Sequence, residues 1–125
     1  YPGIPALLDA LAAAGVKTAV VSNKPDATTK ALAARFFPGL PAFGQRDDVP
    51  PKPAPDLVFR ALETLGEDAA DAGYVGDSEV DVATARNAGL PLAAVSWGFR
   101  GRQALAESGA ADIVDTAEQL LAKLL

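Results

Sequence analysis

Apolar residues recur at Ile4, Leu7, Leu8 and Leu11, the i, i+3, i+4, i+7 spacing of a helix with one buried stripe. Gly15 follows as a stop. Thr18-Ala19-Val20-Val21 predicts a short strand buried on both faces. Ser22-Asn23-Lys24-Pro25-Asp26 predicts a turn, with a helix over about 26–36 that ends near Phe36-Phe37-Pro38. From about 38 to 53 five prolines and the pair Asp47-Asp48 predict loop, with room for a short edge strand near Ala42-Phe43-Gly44. Val58, Ala61, Leu62 and Leu65 mark a further amphipathic helix closed by Gly66. Gly73-Tyr74-Val75-Gly76 then predicts a strand, followed by a helix from Ser78 to about Ala88 with Gly89 as its stop. Leu92–Ser96 predicts the next strand, and a short helix near 102–108 follows a glycine-rich loop. Asp112-Ile113-Val114 and a helix over about 116–124 complete the pattern. Helices alternating with strands, most helices closed by Gly, imply an α/β fold with a mainly parallel sheet.

Composition narrows what such a fold can do. A chain of 125 residues, half of them apolar, is one domain at most, with a modest core. A net charge of −5 argues against nucleic acid or an anionic membrane as the main partner, since both demand a basic face. No apolar run approaches the ~20 residues of a membrane span. There is no Cys and no His. Thiolate chemistry and Ser-His-Asp catalysis are therefore excluded within the chain, and a typical zinc site is disfavoured. Chemistry must rest on carboxylates, Lys, Arg, hydroxyls and backbone amides.

In a parallel α/β sheet, ligands bind beyond the carboxyl ends of the strands, and three groups fall there. Asp77 closes a strand and Asp81 lies four residues on, which directs both carboxylates to one side of a helix start. Two acids aimed at one point repel unless a cation or a proton sits between them, and hard oxygen ligands suit Mg²⁺. Acids in a first turn also simply favour the helix dipole. Ser22 and Asn23 end another strand, where a hydroxyl and exposed amides suit an oxyanion or phosphate, although both residues are equally at home in an ordinary helix start. Lys52 stands among Pro50, Pro51, Pro53 and Pro55, which restrict the backbone on either side of it. A fixed cation suits a transferring phosphoryl group; a solvated Lys in a rigid connector is the plainer alternative.

Taken in order, these segments resemble the haloacid dehalogenase superfamily of phosphohydrolases. Val20-Val21-Ser22-Asn23-Lys24-Pro25 is similar to its second motif, Lys52 in Pro-Lys-Pro-x-Pro-Asp to its third, and Gly76-Asp77-Ser78-x-x-Asp81 to its fourth. The Ser-Asn-Lys and Lys-Pro-x-Pro forms, with Trp97-Gly98-Phe99, most closely resemble the phosphoglycolate phosphatase branch. The resemblance spans essentially all 125 residues. It implies a Rossmann-like three-layer α/β/α core and a Mg²⁺-dependent phosphate-monoester hydrolase acting through an aspartyl-phosphate. The implied substrate is a small phosphorylated metabolite such as 2-phosphoglycolate, and the implied setting cytoplasmic. Ser22 and Asn23 would bind the phosphoryl group and Lys52 would neutralise it. Asp77 would coordinate Mg²⁺, Asp81 would coordinate it or hold its water ligands, and Trp97 to Arg100 would line the rim.

The family's first motif, Asp-x-Asp-Gly-Thr, does not occur in the sequence. By the resemblance it carries the nucleophile and the general acid/base, and it supplies a central strand between those ending at Ser22 and Asp77. The start at Tyr1-Pro2-Gly3 without any Met resembles the point where the family re-enters its core after a cap domain. The expectation is thus a partial core over residues 1–125 without cap or first motif. Such a piece should be inactive alone, and its inner strands should either expose edges, open to self-association, or pair with each other. Competing readings are a non-catalytic phosphate- or metal-binding module and a sugar-phosphate mutase of the same family. A receiver-like signalling domain would need an acidic cluster at its first strand that is absent here.

Overall fold

The structure, a computed structural model, describes residues 3–97, 101–110 and 112–124. Its elements run α1 (Ile4–Ala13), β1 (Val20–Pro25), α2 (Asp26–Phe36), β2 (Ala42–Gln45), α3 (Asp56–Leu65), a 3₁₀ turn (Ala69–Asp71), β3 (Tyr74–Gly76), α4 (Glu79–Ala88), β4 (Leu92–Val95), α5 (Gly101–Glu107), β5 (Ile113–Val114) and α6 (Ala117–Leu124). The glycines read as stops act as such. Gly66 and Gly89 cap α3 and α4 at φ 70° and 73°, in the left-handed region where glycine carries no Cβ penalty.

All strand pairs are parallel, in two separate sheets of order β1-β2 and β3-β4-β5. β4 shows how the second is covered. Ala93 and Val95 face Leu7 and Leu11 of α1 and Leu120 of α6. Ala94, one step out of phase, packs with Val82 of α4 and Leu105 of α5 on the opposite face. Helices on both faces of a parallel sheet make the expected three-layer α/β/α arrangement.

One predicted strand moved. Thr18 and Ala19 lie before β1, and Ser22 to Pro25, expected as a turn, belong to it. The cause is pairing, which defines a strand. Val20 and Val21 match Ala42 and Phe43, and the register then slips so that Pro25 stands opposite Gln45. The slip absorbs the extra residues as a bulge does, and Pro25, without an N–H, ends the ladder.

Among the described residues β1 and β3 do not pair with one another; each has one strand neighbour. Between them runs an apolar cleft of about 890 Å³, with Thr18, Ala19 and Val21 on one flank and Gly73, Tyr74 and Val75 on the other. Val75 is 42% exposed there, an unusual state for a strand valine in a parallel sheet. The sheets are joined instead by α3, whose Val58 packs in one cluster with Tyr74 and Val21, and by side-chain links described next.

Candidate active site

Lys52 is the hub of the site. Its backbone is gripped by Asn23, whose Oδ1 accepts from the Lys52 N–H at 2.8 Å and whose Nδ2 donates to the Lys52 carbonyl at 3.0 Å. This two-way amide bridge ties the carboxyl end of β1 to the proline-framed loop. Asn87 of α4 donates to the Pro53 carbonyl at 2.9 Å and holds the loop from the other side. The Lys52 Nζ then reaches Asp81 Oδ1 at 2.8 Å and the Tyr74 hydroxyl at 3.0 Å. Lys52 and Asp81 side chains are only 11% and 9% exposed, so this ion pair is largely withdrawn from water.

Asp81 is saturated with donors. Its Oδ1 accepts from Lys52 and, at 3.0 Å, from the Tyr74 hydroxyl. Its Oδ2 accepts from the Asp77 N–H at 3.0 Å and from Ser78 Oγ at 3.1 Å. Ser78 is also the N-cap of α4, accepting from the Asp81 N–H, which satisfies an orphan donor of the first turn. Burial alone would push the Asp81 carboxyl up, but the Lys52 charge and hydrogen bond, the Asp77 N–H and the Tyr74 hydroxyl together hold it below the usual carboxylate value. Burial first, then the Asp81 charge, pushes the Tyr74 phenol far above its ordinary value, so it remains a donor at any working pH.

Gly76 explains how Asp81 comes so close. A Cβ there would run into the Asp81 carboxylate; only glycine lets the carboxylate fold back over the strand end. Gly76→Ala is therefore expected to displace Asp81 and cost about 1–3 kcal/mol, the usual range for overpacking. Urea unfolding of the variant measures it, and an unchanged midpoint and slope would refute the account.

Of the residues singled out from the sequence, Asn23, Lys52 and Asp81 form one hydrogen-bonded group. Ser22 lies beside it, half-buried, its Oγ accepting from the Lys24 N–H at 3.1 Å, so its hydroxyl hydrogen stays available to a ligand. Asp77 lends its backbone N–H to Asp81, while its half-buried carboxylate has no hydrogen bond or ion pair with any described residue. Trp97 packs against the α1, β4 and α6 core; Gly98, Phe99 and Arg100 lie outside the described residues. Tyr74, which the sequence marks only as part of a strand, is a further member of the group.

No cluster of three or more acidic side chains suited to a metal occurs among the described residues. The donors nonetheless fit Mg²⁺ in a limited way. Asp77 offers one unengaged carboxylate, and Mg²⁺ is commonly held by one or two carboxylates with waters and substrate phosphates completing its shell. Asp81, with both oxygens engaged, could meet a metal only through water or by giving up a bond.

A parallel α/β core with a buried Lys–Asp pair beside an uncommitted carboxylate and a free hydroxyl suits the handling of phosphate esters, and relationship agrees. The sequence model of haloacid dehalogenase-like hydrolases matches residues 1–89, and the chain belongs to that family. More particularly, it is 39% identical over 118 residues to phosphoglycolate phosphatase of Rhodospirillum rubrum, covering 92% of this chain and 48% of that protein. It is 40% identical over 129 residues to the plasmid-encoded phosphoglycolate phosphatase of Cupriavidus necator, covering 99% of this chain and 55% of that one. A crystal structure from Lactobacillus delbrueckii subsp. bulgaricus, of a protein assigned to phosphoglycolate phosphatase, superposes with a TM-score of 0.96 at 43% identity, covering all of this chain and 53% of that one. CbbY from Rhodobacter sphaeroides, solved with xylulose-1,5-bisphosphate, gives a TM-score of 0.75 at 26% identity, covering 93% of this chain and 53% of that one. The chain thus spans about half the length of the curated relatives it matches.

Proposed function

We propose that this chain is the phosphate- and metal-binding wall of a Mg²⁺-dependent phosphate-monoester hydrolase, with 2-phosphoglycolate as the favoured substrate. The observation that carries it is the Lys52–Asp81 ion pair, withdrawn from water, its Asp81 held by the Asp77 N–H and its Lys52 backbone by Asn23, the residue after Ser22. Lys52 supplies a fixed positive charge for the phosphoryl oxygens, a role that preorganisation makes effective. Ser22 donates its hydroxyl to one of those oxygens. Asn23, its amide spent on the Lys52 backbone, contributes by aiming that residue and through its exposed main chain. Asp77 would hold the metal, with Asp81 behind it. What Mg²⁺ supplies when bound is neutralisation of charge on the phosphoryl group.

The nucleophile is an Asp of the family's first motif, proposed to lie outside this sequence. Its strand would fill the cleft between β1 and β3 and bring its carboxylate to the Ser22–Lys52–Asp77 wall. By itself the chain then binds Mg²⁺ weakly and turns nothing over. Isothermal titration with Mg²⁺ is expected to give a weak site that Asp77→Asn abolishes while the fold is retained. Assays with an aryl phosphate are expected to give no turnover. Equal Mg²⁺ binding by the variant removes Asp77 from its role, and turnover by the chain alone removes the external nucleophile.

A further inference from the structure

We propose that Tyr74 is a positioning residue for Lys52, its hydroxyl fixing the ammonium against the turn that ends β3. The geometry is a closed triangle. Lys52 Nζ donates to the Tyr74 hydroxyl at 3.0 Å and to Asp81 Oδ1 at 2.8 Å, and the hydroxyl donates to the same Oδ1 at 3.0 Å. The hydroxyl is thus acceptor on one side and donor on the other, so its hydrogen-bonding capacity is used in a single direction. The ammonium lies 5.7 Å from the Tyr74 ring centroid, beyond the hydroxyl end of the ring and not over its face, so the contact is the hydrogen bond alone.

A lysine ammonium is a point charge on a four-carbon stem with rotatable donors. With Asp81 as its sole partner it could swing about that oxygen. A second, buried partner at hydrogen-bonding distance fixes its position. Tyr74 can serve because Tyr74 and Gly76 lie on one face of β3 and Gly76 has no side chain, which leaves the space above the strand for Asp81. Asn23 anchors the other end of the same residue through its backbone. Lys52 is thereby held at both ends, by residues of two sheets that share no ladder. The geometry stands independently of any activity; its consequence for phosphate rests on the reading of Lys52 proposed above.

The test is lysine ¹⁵N NMR of the intact chain with Tyr74→Phe, which keeps the ring and removes only the hydroxyl. Lys52 is the one lysine of five that is not solvent-exposed, so its ammonium is expected as a distinct, slowly exchanging signal with a nuclear Overhauser contact to the Tyr74 ring. Absence of that signal in the unaltered chain overturns the proposal without any variant. In Tyr74→Phe the ammonium hydrogens are expected to exchange at least tenfold faster, at a temperature well below unfolding for both proteins. Exchange unchanged within twofold overturns it. Inorganic phosphate is then titrated on the same signal, and the variant is expected to bind several-fold more weakly than the unaltered chain. A chain whose Lys52 signal ignores phosphate sinks the phosphate reading, while the exchange comparison still decides the role of Tyr74.

Discussion

Lys52→Met is expected to cost about 3–5 kcal/mol near pH 7, the range for stranding one member of a buried ion pair, out of the 5–15 kcal/mol typical of a domain. The Met side chain fills most of the space of the lysine stem, so the loss is electrostatic. Asp81 would keep its bonds from Tyr74, Ser78 and the Asp77 N–H but lose its one ion-pair partner among the described residues. The cost should also depend on pH in a defined direction. In the unaltered protein the folded Asp81 value lies below the ordinary one. Its stabilisation is therefore present above the unfolded value of about 3.9 and is lost as pH falls through the folded value. Without Lys52 the largest contribution holding the value down is gone and the folded value rises, while the Asp77 N–H and the Tyr74 hydroxyl still oppose burial. Less of the variant's stability then depends on the ionised Asp81, so the loss is greatest where that carboxylate is charged. Urea unfolding of both proteins near pH 4 and pH 7 should show a smaller difference at the lower pH. A difference independent of pH would mean that the Lys52–Asp81 pair does not behave as a buried ion pair.

The sequence signals for α1, α3 and the end of α4 were strong because each rests on local chemistry. Apolar spacing sets the buried face, and glycines after Leu65 and Ala88 adopt the left-handed backbone that ends the helix. β1 was less legible, since a strand exists only with its partner, and the register slip against β2 has no local mark. The site divides in the same way. Asp81 stands out by its spacing from Asp77, and Lys52 by its prolines. The Asn23–Lys52 bridge spans 29 residues, and nothing local to either residue announces it. Tyr74 stands in the sequence only as part of a predicted strand, and its ring is buried among Val58, Ala85 and Leu90 as that of a core aromatic would be. Its position two residues before a glycine was the available clue, since that glycine leaves room for an acid to reach the phenol. The break between β1 and β3 was legible only through the resemblance, which implies a further strand there, and nothing local in the sequence marks it.

Supplying that strand should have the largest effect on behaviour. The Val20 N–H bonds to the Pro41 carbonyl and the Tyr74 N–H to the Pro91 carbonyl. Backbone groups alternate sides along a strand, so the Val21 and Val75 amides point towards the cleft. Unpaired edges recruit other chains, and the chain alone is expected to associate as its concentration rises. A short apolar strand ending in Asp-x-Asp-Gly-Thr, joined ahead of Ile4 by a flexible Gly/Ser linker, would meet the cleft at an effective concentration near the millimolar range. Covalent linkage matters because a free peptide would bear an association cost of about 4–15 kcal/mol. Hydrogen exchange at Val21 and Val75 should slow by orders of magnitude, the product should remain monomeric, and aryl phosphate turnover with Mg²⁺ should appear. Replacing the first Asp of the added strand by Asn should abolish turnover and leave the exchange protection. Protection without turnover in the parent fusion would reject the proposed nucleophile while keeping the slot. Exchange left fast at both valines would reject the slot, because a strand seated between two free edges cannot leave their amides open to water.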